Sequence, residues 1–247
     1  MIFDLFCSFE KNRLVYNAVE SGIIGFMIIG LVLLGITALL LFLGIARRVF
    51  SNFGVPYLLA FVIVGVLIGS AFIPAFDIGR VSVNAAGFIA PLTFSVMFLL
   101  LAKRRREVWY AIVASSSTAA VYAAVLLLIS PITSVTVTVI SAGFLCGAVA
   151  YLVGRTELSA LAAVFAGLPI GEVVSSIVGY FSLGRGITLG TAATFDTVIL
   201  SAVFAVVLSE AISAIRRTMN TRNKKTVLEA EAAEEFDPDE YKRYFDE

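Results

Sequence analysis

The sequence predicts an all-α, polytopic membrane protein with seven transmembrane helices, and three observations lead to that fold class. Hydrophobic residues make up 60% of the 247 residues and charged residues only 15%, and the mean hydropathy is +0.98. The charges lie in short islands between long apolar runs, a pattern typical of helices that span a bilayer. The chain has no histidine, only two cysteines and no net charge. We therefore expect no metal, no other cofactor and no nucleic-acid partner.

Seven apolar runs define the predicted spans, and each run is bounded by charged or turn-forming residues. The first five predicted spans cover residues 22–46, 54–73, 84–102, 108–129 and 133–153, and a hairpin of two further spans follows within 156–213. The domains that follow from this pattern are an interfacial or flexible segment at 1–21, a seven-helix domain at 22–215, and a charged cytoplasmic tail at 216–247. We expect that tail to be largely disordered, because its composition cannot form a core.

The distribution of Lys and Arg predicts the orientation of the spans. Fourteen of the 18 basic residues fall on one side of the predicted membrane and four on the other. Because cytoplasmic loops are enriched in Lys and Arg, this bias places the N-terminus outside and the C-terminus in the cytoplasm of a multi-pass cell-membrane protein. We expect anionic lipid headgroups, and also membrane or cytoplasmic protein partners, to bind the tail region. The predicted headgroup contacts are Arg216, Arg217, Arg222, Lys224 and Lys225.

The last predicted hairpin carries one acid in each span. Glu172 lies in GLPIGEVVSSI and Asp196 in GTAATFDTVIL, each nine residues from the turn at 182–186 if the runs end at Phe181 and begin at Ile187. At a rise of 1.5 Å per residue, both acids would lie about 13 Å below the same surface. A charge at that depth costs roughly 2.5–3.5 kcal/mol. We therefore predict that the two acids meet and share a proton, and three uses of the pair stay open: a proton or cation relay, water activation as in aspartyl proteases, or a structural hydrogen bond between helices.

Other residues near the acids suggest a polar site between helices. Pro169 removes a backbone donor and is expected to kink the sixth span just before Glu172. Small residues recur at every fourth position in both spans of the hairpin, which is typical of close helix packing. The further polar or kink positions that we assign to the site are Asn84, Pro91, Thr194 and Thr197, with Ser115–Thr118 as additional polar lining.

Four segments taken in order resemble a prokaryotic membrane family called domain of unknown function 1614. They are VGVLIGSAFIPAF, VNAAGFIAPLTFSVMFLL, GLPIGEVVSSI and TAATFDTVILSAVFAVVL, and together they extend over about residues 65–208. The resemblance implies that Asp196 matches the family's last-span aspartate, Glu172 its earlier aspartate, and Asn84 and Pro91 its third-span motif. The sequence departs from that pattern in having glutamate at 172 and Ala193 and Thr197 in place of glycines. The resemblance implies a shared acid pair and names no activity.

Three functions remain open from the sequence. The first is a transporter-like protein in which Glu172 and Asp196 couple protons or cations, as ion sites beside broken helices do in transporters. The second is an intramembrane aspartyl protease homologue, active or degenerate, although the G-x-G-D and Pro-Ala-Leu motifs of that class are absent. The third is a non-catalytic subunit of a membrane complex. A retinal protein is excluded, because every lysine lies outside the predicted spans.

Overall fold

The computed structural model describes residues 30–44, 56–79, 81–102, 104–130, 132–183 and 187–235. Seven helices and three short strands form in these residues. The helices are α1 (Gly30–Phe42), α2 (Tyr57–Ser70), α3 (Ala90–Leu101), α4 (Arg105–Ala124), α5 (Val135–Gly154), α6 (Glu157–Leu183) and α7 (Ala192–Glu235). A π-helical turn, Ala85–Ile89, precedes α3, and another, Val125–Ile129, follows α4. The strands are β1 (Phe76–Ile78), β2 (Val81–Val83) and β3 (Ile187–Leu189).

The described residues confirm an all-α membrane protein. Four helical stretches are long and apolar enough to cross a membrane by length and composition: Arg105–Ile129, Val135–Gly154, Glu157–Phe181 and Ala192–Met219. The other three, Gly30–Phe42, Tyr57–Ser70 and Ala85–Leu101, are shorter apolar helices. The number of spans and their orientation therefore stay predictions. The predicted N-terminal segment, 1–21, lies outside the described residues.

The chain divides into two compact units, Met1–Leu208 and Ser209–Glu247. The first unit contains the described parts of α1 to α6, the three strands and the beginning of α7. In the second unit the described residues are helical as far as Glu235. We predicted a largely disordered tail from residue 216, and residues 236–247 of that tail lie outside the described range.

Close packing of α6 against α4 depends on glycine. A Cβ built on Gly171 would lie 2.6 Å from the carbonyl oxygen of Ala119, and one on Gly167 would lie 2.8 Å from that of Ser115. Real Cβ atoms do not approach backbone oxygen so closely, so the absence of side chains lets the two backbones meet. Close contacts of this kind are expected where small residues recur along one face of a membrane helix.

A three-stranded sheet joins two of the connections between helices. β1 and β2 form an antiparallel hairpin around Gly79, and β2 pairs in parallel with β3, with Val81 opposite Ile187 and Val83 opposite Leu189. The sequence did not predict this sheet: we treated residues 74–83 as loop and began the seventh span at Ile187. Because β3 uses residues 187–189, α7 begins only at Ala192, and Asp196 is its fifth residue.

Candidate functional site

Glu172 is held by four hydrogen bonds at the beginning of α7. The side chain is 3% exposed. Its Oε2 accepts a hydrogen bond from the Gly190 amide at 2.6 Å, and Oε1 accepts one from the Thr191 amide at 3.1 Å. The hydroxyls of Thr191 and Thr194 also donate to Oε1, at 2.9 and 2.6 Å. A helix N-terminus presents unpaired amides and favours negative charge. Glu172 of α6 therefore caps α7 from a neighbouring helix.

The Thr194 hydroxyl extends this network to α4. Its oxygen lies 3.0 Å from the hydroxyl oxygen of Tyr122, which is buried. Because Thr194 uses its one proton on Glu172, Tyr122 is the donor in this contact. The Thr197 hydroxyl donates to the Ala193 carbonyl at 2.7 Å. Sequence reasoning missed Tyr122, although a tyrosine in a long apolar run needs a partner for its hydroxyl.

Asn84 belongs to the structural frame around this network. Its side-chain oxygen accepts a hydrogen bond from the Ala86 backbone amide at 2.8 Å and so caps the π-helical turn. The backbone amide of Asn84 donates to the Leu189 carbonyl at 2.9 Å. Gly190 has a φ of +75°, and a Cβ there would lie 2.7 Å from the Asn84 carbonyl oxygen. The predicted polar residue Asn84 therefore fixes the backbone beside Gly190, which is a donor to Glu172.

The two prolines assigned to the site are both buried within helices. Pro91 is the second residue of α3 and follows the π-helical turn Ala85–Ile89 without a break, so it lies in the second turn of a continuous helix and has no amide hydrogen to donate there. Pro169 lies inside α6, three residues before Glu172. Neither proline is among the hydrogen-bonding partners of Glu172 and Asp196 in the described residues.

Asp196 occupies a different site from Glu172. The side chain is 1% exposed, and its Oδ1 accepts a hydrogen bond from the Gly30 amide of α1 at 3.0 Å. Its Oδ2 is buried and has no hydrogen-bond partner among the described residues. A Cβ built on Gly30 would overlap Asp196 Oδ1. The approach of α1 to this carboxyl group therefore requires glycine at position 30.

The structure does not bring the two acids together as we predicted. Thr194 and Asp196 are two residues apart on α7, which separates their directions by about 200° around the helix axis. Thr194 bonds to Glu172, so Asp196 points away from Glu172 and toward α1. No hydrogen bond joins the two carboxyl groups in the described part of the chain. A proton shared between them is therefore not part of this arrangement.

An apolar cleft of about 290 Å³ lies beyond Asp196 between α1, α2, α6 and α7, and Phe98 of α3 also contributes to it. Ile199 and Val203, one and two turns farther along the Asp196 face of α7, line one wall. Among the lining residues that the structure describes, Thr37 is the one with a polar side chain, and its hydroxyl donates to the Leu33 carbonyl at 2.8 Å. Within the described residues, no group of three His, Cys, Asp or Glu side chains is placed to hold a metal ion.

A family model described as YphA-like integral membrane protein matches residues 54–231, which is more than half of the chain. The chain belongs to the YphA-like integral membrane proteins. Membership in this family, together with the apolar helices, supports a location in a membrane and contact with the lipid bilayer. The match includes Asn84, Glu172 and Asp196, and it begins after Gly30. Searches of curated proteins and of solved structures found no match.

The YphA-like match changes what the motif resemblance supports. We expected the family called domain of unknown function 1614, and the match is to the YphA-like family instead. The coarser part of that expectation, a family of integral membrane proteins, is confirmed. The narrower relationship is not supported by the match, so the roles of Glu172 and Asp196 have to be argued from their own contacts.

Proposed function

We propose that this YphA-like protein is a transporter-like membrane protein in which Asp196 couples protons or cations. The observation that supports the proposal is the environment of Asp196, which is buried, bonded through one oxygen only within the described part of the chain, and followed along α7 by an apolar cleft. Ionisable residues inside membrane helices are costly and are functional candidates by default. A carboxyl group with an unpartnered oxygen retains the capacity to take up a proton or a cation.

Glu172 has a different role in this proposal. Its two oxygens already accept four hydrogen bonds, which is about the full acceptor capacity of a carboxylate. A cation or an additional donor would have to displace one of them. We therefore assign Glu172 to holding the beginning of α7, the segment from which Asp196 projects.

The contacts of the two acids argue against proteolysis. Aspartyl protease chemistry needs two carboxyl groups around one water, with a proton shared between them. Here one carboxyl group is bonded to the N-terminus of α7 and the other to α1. No contact of the described residues favours the role of a non-catalytic subunit over the transporter-like role.

The finer features of the topology belong to the same proposal. Seven spans, an outside N-terminus and a location in the cell membrane follow from the alternating basic loops. The predicted headgroup contacts of Arg216, Arg217, Arg222, Lys224 and Lys225 follow from their position just beyond the last apolar run.

Proton flux into proteoliposomes tests the proposed role of Asp196. Purified protein is reconstituted with a pH-sensitive dye inside the vesicles, and flux is driven by a potassium diffusion potential. We expect Asp196→Asn to abolish the flux, because the amide cannot exchange a proton, while its oxygen still accepts from Gly30. Thr93→Val is the control, since that exposed hydroxyl bonds only to the Ile89 carbonyl of its own helix. Proton flux that Asp196→Asn leaves unchanged would contradict the proposal, and proton flux no greater than that of empty vesicles would contradict its proton-coupling form.

A further inference from the structure

The connection between α5 and α6 lies beside the beginning of α4. The Ser159 hydroxyl of α6 donates to the Glu107 carbonyl of α4 at 3.0 Å, across a separation of 52 residues. Farther along, Gly167 approaches the Ser115 carbonyl with the same separation. The two helices therefore run parallel and begin at one level. This arrangement places Arg155, the residue that follows α5, next to the first turn of α4.

Arg155 occupies a backbone position that usually belongs to glycine. Its φ is 60°, and within the described ranges it is the one non-glycine residue with a positive φ. Its amide donates to the Tyr151 carbonyl at 2.9 Å and ends α5 in the left-handed conformation. The Arg155 guanidinium lies 5.5 Å from the centroid of the Tyr110 ring of α4. Backbone strain of this kind clusters at sites that bind ligands.

Positive charge exceeds negative charge where residues 104–110 meet residues 155–159. Four exposed arginines belong to these two segments: Arg104, Arg105, Arg106 and Arg155. The acids of the same segments are Glu107 and Glu157, so the segments together carry a net positive charge. The N-cap residue of α4 makes no side-chain capping hydrogen bond, so the first amides of this helix also favour an anion.

Exposed aromatic and apolar side chains follow these arginines along α4. Trp109 is 67% exposed and Tyr110 37% exposed, and Ile112 and Val113 are also exposed. The stretch Arg105–Ile129 is long and apolar enough to cross a membrane, so we expect this face to contact lipid. Tryptophan and tyrosine are enriched at the level of the lipid headgroups. The arginines one turn before them are therefore at the level of the lipid phosphates.

We propose that Arg106 and Arg155 bind the phosphate of an anionic phospholipid at the beginning of α4. Arg106 lies four residues before Tyr110 and shares its helix face, so arginines of two segments meet at one ring. Guanidinium groups donate paired N–H bonds to phosphate oxygens. A lipid fits better than a soluble phosphate, because the exposed apolar face continues below the arginines and can contact the acyl chains.

This site goes beyond the proposed coupling role of Asp196 and does not depend on it. It is also separate from the predicted headgroup contacts that follow the last apolar run, because it lies between the beginning of α4 and the end of α5. Phospholipids are present in both leaflets, so the site does not require a particular orientation of the chain.

Native mass spectrometry of the full-length protein tests the site. The protein in detergent is titrated with phosphatidylglycerol or with phosphatidylcholine of the same acyl chains, and bound lipids are counted from the mass. We expect several-fold tighter binding of the first phosphatidylglycerol, because the choline cation opposes the arginines. Equal binding of the two lipids would overturn the proposal. Displacement of phosphatidylglycerol by an equal concentration of inorganic phosphate would also overturn it, since the site would then take a soluble anion.

Arg155→Gly removes the guanidinium and should keep the fold, because glycine adopts a φ of 60° without strain. We expect this variant to bind phosphatidylglycerol about tenfold more weakly, through the loss of a charged hydrogen-bonded pair. Arg104→Gln is the matched control: it removes the same charge from the N-cap position and should weaken binding much less. Equal losses for the two variants would mean that the lipid responds only to surface charge, and would overturn the site. Lipid binding is measured without proton flux, so failure of this proposal is distinguishable from failure of the coupling role.

Discussion

Glu172 and Asp196 are both buried carboxyl groups in apolar helices, and their surroundings differ in the number of donors. Two backbone amides and two hydroxyls donate to Glu172. One amide donates to Asp196, and its second oxygen has no partner in the described residues. The two acids are equally buried, so burial does not distinguish them and the number of donors does. The unfilled acceptor capacity of Asp196 distinguishes it from Glu172, which the structure uses as a helix cap.

Removal of the Glu172 carboxyl group should have the largest effect on stability. Glu172→Ala leaves two amides and two hydroxyls without their acceptor, and we expect a loss of about 3–5 kcal/mol in the free energy of unfolding. Unfolding of the purified protein in mixed detergent and dodecyl sulfate micelles measures it. Asp196→Ala is the matched control and should cost less, since only one amide loses its partner. Equal losses for the two variants would break the distinction between the acids.

Gly190→Ala tests the backbone that presents donors to Glu172. Gly190 has a φ of +75°, and its new Cβ would lie 2.7 Å from the Asn84 carbonyl oxygen. A left-handed conformation costs about 1–2 kcal/mol and overpacking adds about 1–3, so we expect about 3 kcal/mol in the same unfolding assay. Gly79→Ala is the control: φ is +65° there, and no atom lies within 4 Å of the new Cβ. If Gly190→Ala and Gly79→Ala lower the free energy of unfolding equally, the close approach of the Asn84 carbonyl to Gly190 does not add to the cost of the substitution.

Thr194→Val sharpens the description of the Glu172 network. The valine cannot donate to Glu172 or accept from Tyr122, so we expect a loss of about 1–2 kcal/mol in the free energy of unfolding. Thr37→Val removes a hydroxyl that bonds only to its own helix and should be nearly neutral. If both substitutions are neutral, the Thr194 hydroxyl does not connect α7 to α4 in an energetically significant way.

Asp196→Asn should have the smallest effect on stability. The asparagine side-chain oxygen still accepts from the Gly30 amide, and the NH₂ group that takes the position of Oδ2 is of similar size. We therefore expect the free energy of unfolding to change by less than about 1 kcal/mol. Glu172→Gln, by contrast, places an amide NH₂ against groups that donate and should destabilise the protein measurably. Unfolding curves of the two variants in parallel provide the comparison. A larger loss for the Asp196 variant would reverse the assignment of structural and functional acid.

The helix positions could be predicted from the sequence, because the apolar runs are long and their ends are charged. The run predicted at 133–153, for example, is the helix Val135–Gly154. The sheet could not be predicted in the same way. Its strands have three residues each, too few to show an alternating pattern, and β3 pairs with a strand more than 100 residues earlier. Missing β3 also led us to place Asp196 too far from the beginning of its helix.

The sequence alone predicts part of the arrangement of the two acids. The two-residue separation of Thr194 and Asp196 already means that only one of them can face α6. Which one does so depends on packing, and the partner of Asp196 lies 166 residues away at Gly30. No local pattern indicates such a contact. The sequence therefore identified the acids as unusual, while their different partners required the structure.

The pairing of β2 with β3 also constrains how often the chain traverses the bilayer. If the paired strands β2 and β3 lie at one membrane surface, the chain between Val83 and Ile187 makes an even number of passes. Three of the four helical stretches in that interval have the length and composition for a pass: Arg105–Ile129, Val135–Gly154 and Glu157–Phe181. If each of them makes one pass, parity requires a fourth, and the stretch that remains is the shorter Ala85–Leu101.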